Sequence, residues 1–247
     1  MDVAALSPAV QALRGGELRV WSFVVTIFGD MARAPGQELS GAQLSALTEA
    51  AGIKPQALRT ALHRLRKDGW IDSRRVGRGA MHHLTDHGRA QAEQAAARIY
   101  DFAPVAPGRW HLVVLCDRTR ILPGHVPLAP GCFLGHGEPP EVPGALVLSG
   151  PDLTVPDWVR AQVMSTDLSQ DYEAFQQALQ LALAVPTPAS PLEATVLRLL
   201  AVHGWRRLVL RHAALPDGLY PADWAGPACR ALMASLLDRL GASVAPE

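Results

Sequence analysis

The chain has 247 residues, and its 23 basic side chains balance its 23 acidic ones, so on composition alone nothing suggests a nucleic-acid partner. A hydrophobic content of 49% excludes a disordered chain, and the length allows two or three domains with real cores. No apolar run approaches the roughly 20 residues that cross a bilayer, and the N-terminus lacks the regions of a signal peptide. The three cysteines form no close pair, which argues against a disulfide framework or zinc site and for a reducing cytoplasm.

Residues 1–17 read as a flexible lead-in. Leu18, Trp21, Val25 and Phe28 recur at helical spacing, which predicts a buried helix over 18–32. Ser40 with Gln43 three residues on is a capping-box signature for a helix reaching Ala51. Gly52 is a turn, and Pro55 suits the first position of a further helix whose inward stripe is Leu58, Ala61, Leu62 and Leu65. Gly69 stops that helix. A strand over 70–76, a Gly77-Arg78-Gly79 tip and a return strand over 80–84 follow, and Thr85 caps a helix to Tyr100.

A Pro/Gly-rich breaker over 102–108 opens a second region. Strands are predicted over 110–116, 132–134 and 145–148, with a helix over 157–164. From Ser169 the pattern is helical again, with a linker over 186–191 and helices over 192–202 and 227–240.

A helix followed by an arginine-loaded hairpin is the layout of a winged helix-turn-helix. Between 51 and 90 nine Lys/Arg face three acids, a local charge of +6 that leaves −6 on the rest of the chain. With the leucines inward, Gln56, Arg59, Thr60 and His63 fall on the open face. There Gln56 is suited to adenine and Arg59 to guanine. Lys54, Arg64, Arg66 and Lys67 are expected at phosphates, and Arg74, Arg75 and Arg78 at the wing. His82 and His83 are weaker candidates. Only these two of the nine histidines are adjacent, and strand neighbours point to opposite faces, so no histidine metal site is expected. No hydrolase, ATPase or dehydrogenase motif is present.

The segment FGD at 28–30, ALRTALHRLRKDGW at 57–70, the wing glycine and arginine at 77–78, and LT at 84–85 with Gly88 resemble the PaaX-type repressors, regulators of phenylacetic acid degradation. RIY at 98–100 with the strand led by Trp110 is similar to that family's entry into its middle domain. Trp158, Tyr172 and Phe175 match its aromatic spacing, and LPDGLYPADWAG at 215–226 is similar to its C-terminal motif. Two pairs of positions depart from the family: His212 and Ala213 replace Asp-Pro, and His82-His83 replaces an aromatic pair.

The resemblance implies an α+β chain of three parts. These are a winged helix-turn-helix over 18–101, a ferredoxin-like domain similar to Cas2 nucleases over 102–168, and a helical domain over 169–247. It implies a non-enzymatic, homodimeric repressor of a catabolic operon that binds double-stranded DNA and is released by an acyl-CoA such as phenylacetyl-CoA, with no cofactor. Trp205, Arg207, Arg211 and Trp224 carry the stacking and phosphate-binding chemistry an acyl-CoA needs. The competing expectation is that both tryptophans are core anchors and that the arginines pair with Asp217, Asp223 or Asp238. The alternative function is a metal-dependent nuclease using Asp117, although one carboxylate alone makes a poor metal site.

Overall fold

A computed structural model of the protein describes residues 7–246, apart from 17, 152–153, 186–187 and 189. Residues 1–6 of the expected lead-in, and 186, 187 and 189 of the expected linker, lie outside the described residues. The fold is α+β, with helices and two antiparallel sheets. The chain divides into two units. One comprises Met1–Phe102, Phe175–Arg207 and Cys229–Glu247; the other comprises Ala103–Ala174 and Leu208–Ala228. Residues 169–247, expected as one helical domain, are thus distributed over both units.

The first unit includes α1 (Pro8–Arg14), a helix within the stretch expected as a flexible lead-in. Ser7 caps the helix, and Ala9, Val10 and Leu13 are buried; their helical spacing gives so short a segment one apolar face. The central helix is α2 (Val20–Met31), buried without interruption from Ser22 to Phe28. A helix apolar on nearly all sides belongs in the middle of a core. Its buried Thr26 hydroxyl donates to the Ser22 carbonyl and meets His203 Nδ1 at 3.0 Å.

After β1 (Leu39–Ser40), α3 (Gly41–Ala50) starts with the reciprocal Ser40–Gln43 capping box expected from the sequence. Gly52, at φ 75°, turns the chain into α4 (Pro55–Lys67), which packs on α2 and α3. Burying each leucine of its stripe contributes on the order of 1.5–3 kcal/mol. The strands β2 (Ile71–Val76) and β3 (Gly79–Leu84) form a hairpin, and the sheet order is β1-β3-β2. Only the glycine of the two-residue tip Gly77-Arg78 has positive φ, at 57°.

Thr85 then caps α5 (Asp86–Ile99) by accepting from the Gly88 amide at 3.0 Å. A Cβ on Gly88 would lie 2.1 Å from the Trp70 carbonyl oxygen, so the start of α5 presses directly on the base of the hairpin.

In the second unit, β4 (Trp110–Val114), β5 (Val126–Ala129), β6 (Cys132–His136) and β7 (Leu146–Gly150) form an antiparallel sheet ordered β5-β6-β4-β7. Val113, Leu115 and Phe133 centre its core. The connections at 115–125 and 137–145 contain no helix. The helix α6 (Asp157–Val163) packs against β5.

The long helices α7 (Thr166–Ala184), α8 (Pro191–Val209) and α9 (Gly226–Leu240) complete the chain. Within the first unit, Arg198 of α8 binds Asp30 of α2 through Nε and Nη2, both at 3.0 Å. Ser243 and the Tyr100 hydroxyl also donate to that carboxylate, at 2.5 and 2.6 Å. Burial raises the Asp30 pKa, but these bonds outweigh it and hold the carboxyl below its usual range.

Candidate nucleic-acid interface

The apolar stripe of α4 decides which side chains reach solvent. Leu58, Ala61, Leu62 and Leu65 are buried, while Lys54, Gln56, Arg59, Thr60, His63, Arg64, Arg66 and Lys67 are all exposed. The sequence-predicted base-reading residues therefore share one open helix face. Pro55 at the N-terminus of α4 fixes the backbone without removing an internal hydrogen bond. At the hairpin, Arg74, Arg75 and Arg78 are exposed as well.

Several of these groups already have partners. Arg59 Nε and Nη2 donate to Gln56 Oε1 at 3.0 and 2.6 Å, and Thr60 Oγ1 donates to the Gln56 carbonyl at 3.1 Å. Arg64 lies 4.8 Å from the Trp21 ring centroid and pairs with Asp68 at 3.4 Å. Its guanidinium therefore braces α4 against α2 as well as facing outward.

Arg74 makes a two-pronged pair with Glu38, at 2.9 and 2.5 Å. The hydrogen bond from Arg74 holds the Glu38 carboxyl below its usual range, and His83 Nδ1 lies 3.4 Å from the same group. Sequence reasoning missed Glu38 because 36 residues separate the partners and only the β1-β3-β2 sheet brings them together. Among the described residues, Arg75 and Arg78 have no ion-pair partner, so they are the unneutralised cations of the wing.

The adjacent histidines do diverge. His82 is buried and meets Ser73 Oγ at 2.7 Å, whereas His83 is half-buried beside Glu38. Burial, and then the charge of Arg66, lowers the His82 pKa.

The four residues singled out for an acyl-CoA do not share one unit. Trp205 and Arg207 belong to the first, Arg211 and Trp224 to the second. Trp205 is buried and donates from its indole to the Ile99 carbonyl at 2.9 Å. Trp224 stacks on Tyr220 at 3.8 Å. In the same cluster His212 joins two hydroxyls, Tyr172 Oη at 2.7 Å and Tyr220 Oη at 3.0 Å. The motif at 215–226 is thus packed around aromatic rings, and a Cβ on Gly226 would lie 2.1 Å from the Trp224 ring. Arg211 pairs with Asp171, a residue outside the acids expected for it, while Arg207 is exposed.

Asp117 is exposed, and its Oδ1 accepts from both the amide and the hydroxyl of Thr119, at 2.9 and 2.7 Å. These bonds hold its carboxyl below the usual range. Close by, an open cleft of about 440 Å³ is lined by Arg118, Arg120, Ile121, Pro127, Phe133 and Gln162, among others. Its two arginines over an apolar floor escaped the sequence reading because β5, which supplies part of that floor, was not predicted.

A basic helix face and an arginine-bearing hairpin, carried on buried helices, make up the candidate interface. Residues 19–88 match the PaaX-like protein family and 164–245 match the PaaX-like protein C-terminal domain. The chain belongs to the PaaX-like family. It is 29% identical to the transcriptional repressor PaaX of Escherichia coli (strain K12), an alignment covering 89% of this chain and 79% of that one. In fold it is similar to the uncharacterized protein Rv0674 from Mycobacterium tuberculosis, with a TM-score of 0.51 and 20% identity, covering 90% of this chain and 96% of the other. No helix among the described residues is long and apolar enough to cross a membrane.

Proposed function

We propose that α4 and the β2–β3 hairpin form a winged helix that binds double-stranded DNA, and that the protein is a non-enzymatic repressor of a catabolic operon, phenylacetate degradation in the first place. The observation carrying this is the joint exposure of Gln56, Arg59, Thr60 and His63 on one face of α4, flanked by Lys54, Lys67, Arg75 and Arg78. Groups of the first kind read base edges, and cations of the second kind hold phosphates and set the register. Likeness to the E. coli repressor supports the regulatory role. A homodimer would place two such faces on a palindromic operator.

The strand order of the second unit, with β4 between β6 and β7, supports reading it as a ferredoxin-like sheet whose crossovers are loops. The effector of this proposal is an aryl-CoA thioester such as phenylacetyl-CoA. Arg118 and Arg120 over Ile121 and Phe133 offer cations for its phosphates and an apolar surface for its acyl group. Binding there would favour a dimer geometry that no longer fits both half-sites.

The test is fluorescence anisotropy on the protein's own upstream DNA, with and without phenylacetyl-CoA. Specific binding that phenylacetyl-CoA releases is expected. Failure to prefer that DNA over an unrelated duplex refutes the repressor assignment. Release that survives Arg118→Ala together with Arg120→Ala but is lost in Arg207→Ala moves the effector site to the C-terminal cluster.

A further inference from the structure

Two histidines 14 residues apart face each other in the second unit. His111 lies on β4 and His125 just before β5, and their Nε2 atoms are 2.9 Å apart. The other nitrogen of each ring is already committed. His111 Nδ1 lies 3.2 Å from the Gly137 carbonyl oxygen, and His125 Nδ1 lies 3.0 Å from the Pro123 carbonyl oxygen. A carbonyl oxygen only accepts, so both Nδ1 atoms must carry the hydrogens and donate them. In the neutral rings both Nε2 atoms are then bare lone pairs directed at one another. Two acceptors at that distance repel unless a cation stands between them.

The pair is also housed deliberately. His111 pairs across the sheet with Gly135 of β6, and a Cβ at Gly135 would lie 2.1 Å from His111 Nε2 and 2.6 Å from His125 Cδ2. Glycine at 135 is what leaves room for both rings. His111 is 2% exposed while His125 is partly exposed, so one ring anchors the pair and the other opens it to solvent. A carbonyl that fixes the tautomer of each imidazole and aims its free nitrogen is the usual outer shell of a metal-bound histidine.

We propose that His111 and His125 form a two-ligand site for a divalent late transition ion of the zinc class, which imidazole nitrogen suits. Two nitrogens on a tetrahedral zinc stand roughly 3.3 Å apart, a separation the rings reach by opening a few tenths of an ångström. Among the described residues no group of three or more His, Cys, Asp or Glu side chains is placed to hold a metal. The remaining positions therefore belong to water, and the ion is exchangeable rather than structural. Sequence reasoning excluded histidine ligation by examining adjacent residues only; the pair forms through the β4–β6 and β5–β6 ladders.

The test is titration of the full, metal-free chain with Zn2+ by calorimetry and with Co2+ by visible absorption. The expected result is one site per chain that His125→Gln weakens at least about tenfold, by analogy with lesser outer-shell losses. His87→Gln, on the exposed surface of α5, is expected to keep the site. Gly135→Ala is expected to abolish it by filling the space between the rings, with retention of fold checked by circular dichroism. Absence of a stoichiometric site in the parent overturns the proposal, as does a His125→Gln chain that binds both ions as the parent does.

Discussion

Arg59 donates through two nitrogens to the side-chain oxygen of Gln56, so the two residues proposed as base readers are bonded to each other in the free protein. That bond pre-orders the guanidinium along α4, and under the proposed function it would be exchanged for base contacts on DNA. Arg59→Ala is expected to weaken binding to the specific site by about 1–3 kcal/mol, roughly 5- to 150-fold, with little change on unrelated DNA. Gln56→Ala frees Arg59 and is expected to cost less. Anisotropy titrations on both duplexes decide this, and a parental affinity for Arg59→Ala would remove α4 from the base-reading role.

Glu38 neutralises Arg74 but leaves Arg75 and Arg78 bare. Arg78→Ala should therefore reduce the slope of log affinity against log salt by about one unit. Arg74→Ala should change it less. Glu38→Gln, which releases Arg74 toward phosphate, should steepen the slope. If Arg74→Ala and Arg78→Ala flatten it equally, the Glu38 pair does not survive on DNA.

Gly88→Ala places a methyl group 2.1 Å from a backbone oxygen, and backbone cannot rotate away. Either α5 or the base of the hairpin must shift, at a cost on the order of 1–3 kcal/mol. Urea unfolding measures the loss. Ala90→Gly, on an exposed face of the same helix, is the comparison; it costs only helix propensity, about 1 kcal/mol.

Acid should weaken the protein in two separable windows. Burial, and then the charges of Arg206 and Arg207, hold the His203 imidazole down to about 3. An unfolded histidine titrates near pH 6.5, so between those values the unfolded chain binds the extra proton and stability falls with pH. The expected loss from this one group is about 2 kcal/mol by pH 5. Asp30 acts lower. Its folded pKa is depressed, so its contribution is present above the unfolded carboxyl value, near 4, and disappears as pH falls through the folded one. His203→Asn, which keeps a donor for Thr26, should flatten the urea midpoint between pH 7 and 5 and leave the drop below pH 4 intact.

Most of the region 18–100 was legible because its signals are local. The Ser40–Gln43 box, Pro55 and the glycines at 52, 69 and 77 act within a few residues, and each of those glycines has positive φ. Elements without local punctuation were missed. α1 has only three buried apolar residues, and β5 carries a proline within four positions. What the site residues touch was less legible. Arg74 with Glu38, Arg211 with Asp171 and His111 with His125 join positions 14 to 40 apart, and nothing in one segment names its partner in another.

The carboxylate of Asp30 gathers hydrogen bonds from positions 100, 198 and 243. It sits on α2, the helix on which α4 rests. The platform under the proposed DNA-reading helix is therefore completed by residues 70, 168 and 213 positions further along the chain. A fragment that stopped at position 100 would hold that carboxylate without Arg198 and Ser243, so the support of the proposed DNA-reading helix reaches far outside its own region. For the same reason, the proposed DNA-reading region is ill suited to transplantation as a stand-alone cassette.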